Sequence, residues 1–440
     1  DAIPDISDVQ VVIRINYPGQ TPEQIENQVT FPLTSSLMSI SEARDVRAYS
    51  MSGDAYIYTL FEDGTNYDWA RARVLEYVNQ ITPKLPDGAE VLIGPEASGV
   101  SWIYQYALTD DGTGNNSLGD LRAIQDWYLK FELQSVDGVA EVAAIGGMVK
   151  QFQIVIDPDK QRHLGISLSI IEQAIHANNQ ESSGSVIELG EAEYAVHSNG
   201  YISSIEDLEL ISVGQNPFNQ TPILLRDIAQ IRLGPQMRRG VAELDGQGEV
   251  VGGIIVMRAG ENPLDVIQRV KKKLAELQPG LPQGVKVVST YDRSQLILSA
   301  VSELVEKLWQ EVLAVMLVCL LFLWHLRSAV VAVVSLPLGI LVAFIVMSQQ
   351  GITANIMSLG GVAIAIGAMV DAAIVMIENM HQHLHVWYQK NKQKPSSVQH
   401  WDIVFKASCE VGPALFYSLL IVSLSFLPVL LLVLLWLLTL

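Results

Sequence analysis

Residues Ser358–Glu378 read SLGGVAIAIGAMVDAAIVMIE, and this stretch places one carboxylate, Asp371, in an otherwise uncharged run that ends at Glu378. The 43 residues before it, Ser328–Val370, contain no Asp, Glu, Lys or Arg. An ionisable side chain at the depth of a bilayer is costly, so it is normally kept for work on a proton, an ion or a substrate. The stretch therefore predicts a membrane helix that carries a functional group.

Hydropathy predicts an α-helical membrane region over residues 308–440, with spans near the roughly 20 residues that a helix needs to cross hydrocarbon. The four predicted spans are about Leu308–Leu326, Ala329–Ser348, Ile356–Glu378 and Val411–Leu440. Basic residues follow the first span (Arg327) and the third, which puts those two loops in the cytoplasm and residues 1–307 on the other side. The basic residues after the third span are Lys390, Lys392, Lys394 and Lys406. An external domain of this size needs a preceding span, so we expect an incomplete chain whose first helix is missing.

Charge and motifs exclude several classes of function. The net charge of −19 belongs to the region before residue 308, which holds 23 of the 28 Lys and Arg and 42 of the 47 Asp and Glu. Such an acidic region argues against nucleic-acid binding. No GxxxxGK[ST] phosphate loop, nucleophile triad or zinc signature occurs, so the sequence predicts neither an ATPase nor another enzyme.

The external region reads as α+β. Residues 9–93 alternate as strand, helix, strand, strand, helix, strand. Thr21 before Pro22, with Gln24 three residues later, predicts a capped helix start, and Ser52-Gly53-Asp54 predicts a hairpin turn. This is the split βαβ, ferredoxin-like order.

The same order starts again after residue 94 and is interrupted by an insertion. The predicted elements of the second copy are Trp102–Thr109, Leu118–Gln134, Ala140–Ile145, Val250–Arg258, Pro263–Leu277 and Val285–Ser289. LPDGAEV at Leu85–Val91 recurs as LPQGVKV at Leu281–Val287, which favours a duplication, although L-P-x-G is also a common helix-to-strand turn. Residues 151–244 read as an inserted β-rich domain with one helix near Leu168–Asn178, and we expect that domain to carry partner contacts.

Asp371 and Glu378 are seven residues apart and thus share one helix face about 10 Å apart. A protonatable carboxylate at this depth suits a proton relay, whereas the alternative is a static ion pair with a Lys or Arg elsewhere in the bundle. Glu378 is a second candidate for the relay, or a solvated group at the cytoplasmic end. Small residues also keep the third span thin, which lets other helices approach it. They are Gly360, Gly361, Ala363, Ala365, Gly367 and Ala368.

Methionine is concentrated in the same region, since six of the 11 Met residues fall between positions 316 and 380. Thioethers are soft ligands that suit Cu(I) and Ag(I), but methionine is also ordinary apolar filler. His381 and His385 can share a helix face and bind metal, or they can be solvated residues at the interface.

Five segments together resemble the heavy-metal efflux branch of the resistance-nodulation-division transporters, and within it the copper/silver exporters. The segments are DAIPD (Asp1–Asp5), TYDRSQLI (Thr290–Ile297), FLWHLRS (Phe322–Ser328), ANIMSLGG (Ala354–Gly361) and GAMVDAAIVMIEN (Gly367–Asn379). The pattern Gly367-x3-Asp371-x6-Glu378 is the one associated with monovalent copper and silver. The multidrug branch typically has a second acid where this chain has Ala372.

The resemblance implies a homotrimeric proton antiporter, a secondary transporter rather than an enzyme, in the inner membrane of a Gram-negative bacterium. It would work with a periplasmic adaptor protein and an outer-membrane channel, without a resident cofactor, and would exchange Cu(I) or Ag(I) for H⁺. Residues 1–94 match a first porter subdomain, residues 95–150 with 245–292 a second one, and residues 151–244 a docking domain. Asp371 matches the proton-relay Asp. Met357, Met369 and Met376 occupy positions suited to a thioether path for the metal.

Two departures from the family keep other functions open. The second half of such a pump is absent from the chain, and Val429–Leu440 (VLLLVLLWLLTL) stays apolar where the family turns polar. One alternative is therefore a multidrug exporter of the same fold. The other is a truncated, non-transporting remnant that only binds the adaptor or the channel.

Overall fold

The computed structural model describes residues 3, 5–190, 192–198, 200–216, 220–238, 240–323, 326–350, 354–393 and 395–425. Some residues named above lie outside the described ones: positions 1, 2 and 4 of DAIPD, positions 324 and 325 of FLWHLRS, Lys394, and the apolar tail Val429–Leu440. Contacts divide the chain into two compact units. One comprises Asp1–Tyr104, Val256–Arg269 and Tyr291–Leu440, and the other comprises Gln105–Ile255 and Val270–Thr290.

The first sheet has the strand order that was predicted. Its elements in chain order are β1 (Gln10–Asn16), α1 (Pro22–Ile25), α2 (Phe31–Leu37), β2 (Ala43–Met51), β3 (Asp54–Phe61), α3 (Tyr67–Ile81) and β4 (Glu90–Ile93). The strands pair as β2-β3-β1-β4, all antiparallel, which is the ferredoxin-like arrangement. Ile13 faces Ile57 on one neighbour and Ile93 on the other.

The core of this sheet follows from the period-2 alternation of β1. Val11, Ile13 and Ile15 have no exposed surface and pack with buried residues of the helices, such as Leu33 and Val74. Burying one such side chain stabilises the fold by about 1.5–3 kcal/mol, so this face fixes the register of the strand.

The predicted capping box is present at the start of α1. The Thr21 hydroxyl accepts from Gln24 N at 3.4 Å, and the Gln24 side chain accepts from Thr21 N at 3.0 Å. A π-helical turn over Glu26–Thr30, which was not predicted, joins α1 to α2.

The second sheet starts with β5 (Trp102–Asp110), α4 (Leu118–Ile124), α5 (Lys130–Gln134) and β6 (Val139–Gly146). A π-helical turn, Gln125–Leu129, again joins the two helices, at the position equivalent to that in the first copy. The buried amide oxygen of Gln125 in this turn accepts a 2.8 Å hydrogen bond from the hydroxyl of Tyr106 on β5.

The inserted segment contains more helix than expected. Its elements are β7 (Lys150–Ile156), α6 (Pro158–Leu164), α7 (Leu168–Ala177), β8 (Ser182–Leu189), β9 (Ala192–Ser198), α8 (Ile205–Glu209), β10 (Ser212–Gln215), β11 (Pro222–Leu224), α9 (Leu225–Ile228) and β12 (Ala229–Pro235). The prediction of a single helix was wrong, because the additional helices are short and begin with local caps such as Asp157 and Ser204, which carry little hydrophobic periodicity. Strands β7 and β12 pair with each other along their whole length, so the two ends of the inserted segment lie next to each other.

The second sheet is completed by β13 (Val251–Met257), α10 (Pro263–Leu277) and β14 (Val285–Asp292), in the order β14-β5-β13-β6. This repeats the order of the first sheet. The recurring L-P-x-G motif has a conformational reason, because Gly88 (φ +89°) and Gly284 (φ +85°) both adopt the left-handed backbone that favours glycine. Strand order, π-turn and glycine turn all recur, which supports the predicted duplication.

Four long helices follow: α11 (Arg293–Leu323), α12 (Leu326–Gln349), α13 (Ile356–Asn391) and α14 (Ser397–Ser425). Among the described residues, α13 and α14 are long and apolar enough to cross a membrane, and Pro337–Gln349 of α12 is a shorter apolar segment. Helices α11, α13 and α14 extend beyond the predicted spans into polar sequence that hydropathy does not detect, whereas the bounds of the membrane spans themselves stay predictions. For example, α13 continues to Asn391, beyond the expected end at Glu378.

Candidate functional site

The candidate site lies on α13, which begins at a capped end. The Asn355 side chain accepts from Ser358 N at 2.9 Å, and the Ser358 hydroxyl oxygen accepts from Asn355 N at 2.8 Å. At 1.5 Å per residue, the 36 residues of this helix extend for about 54 Å, well beyond a hydrocarbon core of about 30 Å. The helix therefore has a polar extension at its C-terminal end.

Asp371 lies about 24 Å along this helix from Asn355, inside the part that can be buried in lipid. Its side chain is exposed in this chain, and among the described residues it has no hydrogen bond or ion pair. Glu378 is also exposed and accepts a long hydrogen bond of 3.4 Å from Gln382. An unpaired carboxylate at this depth needs either a proton or a cationic partner.

The three candidate methionines have different surroundings. Met357 is 73% exposed near the start of α13, whereas Met369 and Met376 are half-buried. Met369 lies directly against Gly339 of α12, where an added Cβ would be 2.5 Å from the sulfur. About 18 Å separates Met357 from Met369 along the helix axis, so the three thioethers form separate positions rather than one cluster.

Helical geometry puts the carboxylates and two of the thioethers on opposite faces. At 3.6 residues per turn, Glu378 is within about 20° of Asp371 around the helix, while Met369 and Met376 are about 140–160° away. Further along α13, the neighbouring helix α14 makes contact between the two faces, about 80–120° around the helix from Asp371. Asn379 donates to the Ala407 carbonyl at 2.9 Å, and His383 lies 2.7 Å from a carboxylate oxygen of Glu410.

Met369 also lines a cavity of 470 Å³ between α13 and α14. Its other lining residues are apolar except for one hydroxyl, and they are Gly361, Ile364, Ala365, Ala368, Leu419, Val422 and Ser423. The Ser423 hydroxyl donates to the Leu419 carbonyl at 2.9 Å, within its own helix. The thioether is therefore the soft donor in this cavity, which suits a soft monovalent cation.

Metal sites built from other ligands are not found in the described part of the chain, where no three His, Cys, Asp or Glu residues come together. Within those described residues, His381 and His385 do not belong to a group of three such ligands, which a zinc-type site requires.

The glycines of α13 were expected to let other helices approach closely. A Cβ placed on Gly360, Gly361 or Gly367 would meet nothing within 4 Å in the described residues, so the expected approach of other helices to these glycines stays a prediction. The close contact occurs instead at Gly339, on the partner helix, where no sequence pattern had indicated it. The thin face of α13 is therefore open in the described structure.

Comparison with known proteins shows the family of the chain. The sequence model of the AcrB/AcrD/AcrF family matches residues 1–434. The chain is 54% identical over 430 residues to the cation efflux system protein CusA of Escherichia coli K12, an alignment that covers 98% of this chain and 41% of that protein. It is 31% identical over 436 residues to the cobalt-zinc-cadmium resistance protein CzcA of Cupriavidus metallidurans, covering 98% of this chain and 40% of that protein.

A crystal structure of a heavy metal efflux pump has the same fold, with a TM-score of 0.78 and 31% identity. The alignment covers 97% of this chain and 41% of the pump, so the chain spans about two fifths of the length of its relatives. With one carboxylate inside a membrane-length helix, two sheets of repeated order and these similarities, the chain belongs to the AcrB/AcrD/AcrF family of resistance-nodulation-division transporters, and within it to the heavy-metal efflux branch, whose members are transporters rather than enzymes.

Proposed function

We propose that this chain is the N-terminal half of a proton-driven Cu(I)/Ag(I) efflux antiporter of the inner membrane. The proposal rests on one observation: α13 combines the unpaired carboxylate of Asp371 with the half-buried thioethers of Met369 and Met376. The identity of 54% to a cation efflux system protein supports the class of cargo. The softness of the thioethers supports the choice of monovalent copper or silver.

In this proposal Asp371 takes up a proton from the external side and releases it to the cytoplasm. When deprotonated, it requires a cation nearby, because a bare carboxylate in lipid is costly. The described residues supply no such cation, and the second half of the pump would supply it as a Lys together with further acids. Glu378, on the same face about two turns away, is a second candidate for the proton path.

The external region would supply the porter and docking parts of the pump. Residues 1–94 would form the first porter subdomain, residues 95–150 with 245–292 the second, and residues 151–244 the docking domain. Their repeated strand order and the side-by-side attachment of the insertion through β7 and β12 support this assignment. The pump would be a homotrimer with four membrane helices from this half, and would join a periplasmic adaptor and an outer-membrane channel.

The proton role is tested by Asp371→Asn in the complete gene product, expressed in a silver-sensitive bacterium. We expect tolerance to Ag(I) to fall to the level of cells without the pump, because the amide preserves the shape of the side chain but cannot carry the proton. Asp402→Asn is the matched control, since that carboxylate is 59% exposed and pairs with Lys406 on α14. Unchanged silver tolerance in the Asp371 variant, at wild-type protein levels, would refute the proton role.

The metal path is tested by Met369→Leu, a swap that conserves volume and usually costs less than about 1.5 kcal/mol. Transport of Ag(I) into inverted vesicles should fall, while Met316→Leu on α11 should behave like the wild type. Protection against dyes or detergents, with none against silver, would favour the multidrug alternative. Absence of any protection, with the adaptor still bound, would favour the non-transporting alternative.

A further inference from the structure

Arg293 lies at the point where the external region passes into the first long helix. Strand β14 ends at Asp292 and α11 begins at Arg293, with no loop between them. The Asp292 carboxylate accepts from Ser294 N at 3.0 Å and from its hydroxyl at 2.6 Å, which caps the helix. Arg293 itself is only 1% exposed, and a buried arginine is rare unless its donors are used.

The guanidinium of Arg293 joins three segments of the chain. It donates to the carbonyl of Val100, in the connection between β4 and β5 (residues 94–101), and to the carbonyl of Ile3 at 3.4 Å, in the N-terminal segment. Asp5 in that segment supplies a nearby negative charge, and burial lowers the pKa of Arg293. The head of α11 is therefore attached to both segments by one side chain.

The β4–β5 connection is itself firmly held. Tyr67 on α3 donates to the Pro95 carbonyl at 3.1 Å and accepts from Ala97 N at 3.2 Å. The carbonyl of Ser101, a residue that is 1% exposed, accepts from Met257 N at 2.8 Å. Arg293 thus connects α11 to a rigid support rather than to a loose loop.

From Arg293 the helix continues without a break for 31 residues, or about 46 Å. Leu304 and Leu308 on this helix pack against buried Val362 and Ile366 of α13. Ile366 lies only five positions before Asp371. Because packed side chains in a dense interior move together, a displacement at the head of α11 reaches the helix that carries the proton-relay candidate.

We propose that Arg293 is a positioning residue, which keeps the head of α11 fixed to the β4–β5 connection so that movements of the first sheet and of α13 occur together. The inference rests on the proposed transport function. Arg293 does not touch the cargo or the proton, so its loss lowers the turnover of the pump and not its affinity for the metal.

The test uses the complete gene product reconstituted in vesicles, with Ag(I) as the cargo and an imposed pH gradient. Arg293→Gln, which loses the charge and most donors, should lower the maximal transport rate at least tenfold and leave the half-saturating Ag(I) concentration unchanged. Arg293→Lys, which keeps the charge, should recover part of the rate. Arg162→Gln is the control, because that arginine is 76% exposed and its partners, Asp159 and the Pro158 carbonyl, lie within its own short helix.

Three results would overturn the proposal: a wild-type rate in Arg293→Gln, a rise in the half-saturating concentration that accounts for the loss, or a loss that merely follows the amount of folded protein. If Arg293→Gln does not fold, hydrogen exchange in the unmodified protein tests whether α11 and the β4–β5 connection move together. Amides of residues 97–101 and 294–298 should change protection together when Ag(I) and the pH gradient are applied, and independent changes would contradict the coupling. If the unmodified protein transports neither Ag(I) nor Cu(I), the proposed function fails; if it transports them and the variants match it, only the role of Arg293 fails.

Discussion

Gly253 on β13 offers a sharp test of how tightly the second sheet is packed. An added Cβ would lie 2.7 Å from Cε1 of Tyr106 and closer still to its Cζ and hydroxyl oxygen. Tyr106 is 1% exposed and donates to Gln125 at 2.8 Å, so its ring cannot move without breaking that bond. Overpacking a core costs about 1–3 kcal/mol, and leaving a buried polar group unpaired costs about 1–3 kcal/mol more.

We therefore expect Gly253→Ala to destabilise the protein by about 3 kcal/mol, after the smaller gain from a less flexible unfolded chain. For a unit of this size the loss corresponds to a melting temperature lower by about 6–12 °C. The measurement is thermal unfolding of the purified protein followed by circular dichroism. Gly240→Ala is the control, since its Cβ would enter open space, and it should shift stability by no more than about 0.5 kcal/mol.

A double variant tests whether the clash with Tyr106 causes the loss of stability. Adding Tyr106→Phe to Gly253→Ala removes the hydroxyl oxygen, one of the three atoms that crowd the new Cβ, so the double variant should lose less stability than the sum of the two single changes. A Gly253→Ala protein that melts within about 1 °C of the wild type would refute the reasoning, because it would mean that the ring of Tyr106 has room to move.

Two further predictions concern Met369 and an ion pair. Gly339→Ala should displace the Met369 thioether, since the new Cβ would lie 2.5 Å from its sulfur, and should reduce Ag(I) transport as Met369→Leu does; Gly412→Ala, with open space, should not. Lys150 holds the pKa of Asp120 at about 2, below its ordinary value of 3.8, so the pair stabilises the fold above about pH 4 and loses that effect as the pH falls towards 2. The melting temperature of Lys150→Met should thus lie below that of the wild type at pH 7 and approach it at about pH 2, and a constant difference would contradict the assignment.

Much of the external fold was predictable because its signals are local. The alternation of Val11, Ile13 and Ile15 marks a strand with one buried face, and the observed bounds of α10, Pro263–Leu277, are those expected from its periodicity. The cap at Thr21 needs only three neighbouring residues. Local chemistry of this kind is visible in the sequence.

The remaining features depend on contacts between distant residues. The π-turn around Gln125 is held by a hydrogen bond from Tyr106, 19 positions earlier, and no local sequence pattern predicts this turn. On α13, residue spacing predicted the position of Asp371, but not the contact of Met369 with Gly339. Arg293 was noticed only as part of a family motif, because its burial and its bonds to Val100 and Ile3 arise from tertiary structure.

The two faces of α13 have a consequence for the mechanism of exchange. In the proposed antiport, a cation that follows Met369 and Met376 would travel on one side of the helix, while a proton at Asp371 would be bound on the other, about 140–160° around the axis. The two ions would then not compete for the same ligands, and neither would displace the other directly. In that case exchange would be coupled through the backbone of this one helix, whose rotation or sliding would open one side as it closes the other. The stoichiometry of such a pump would then reflect how many protons are needed to move a helix, rather than how many charges balance at a shared site.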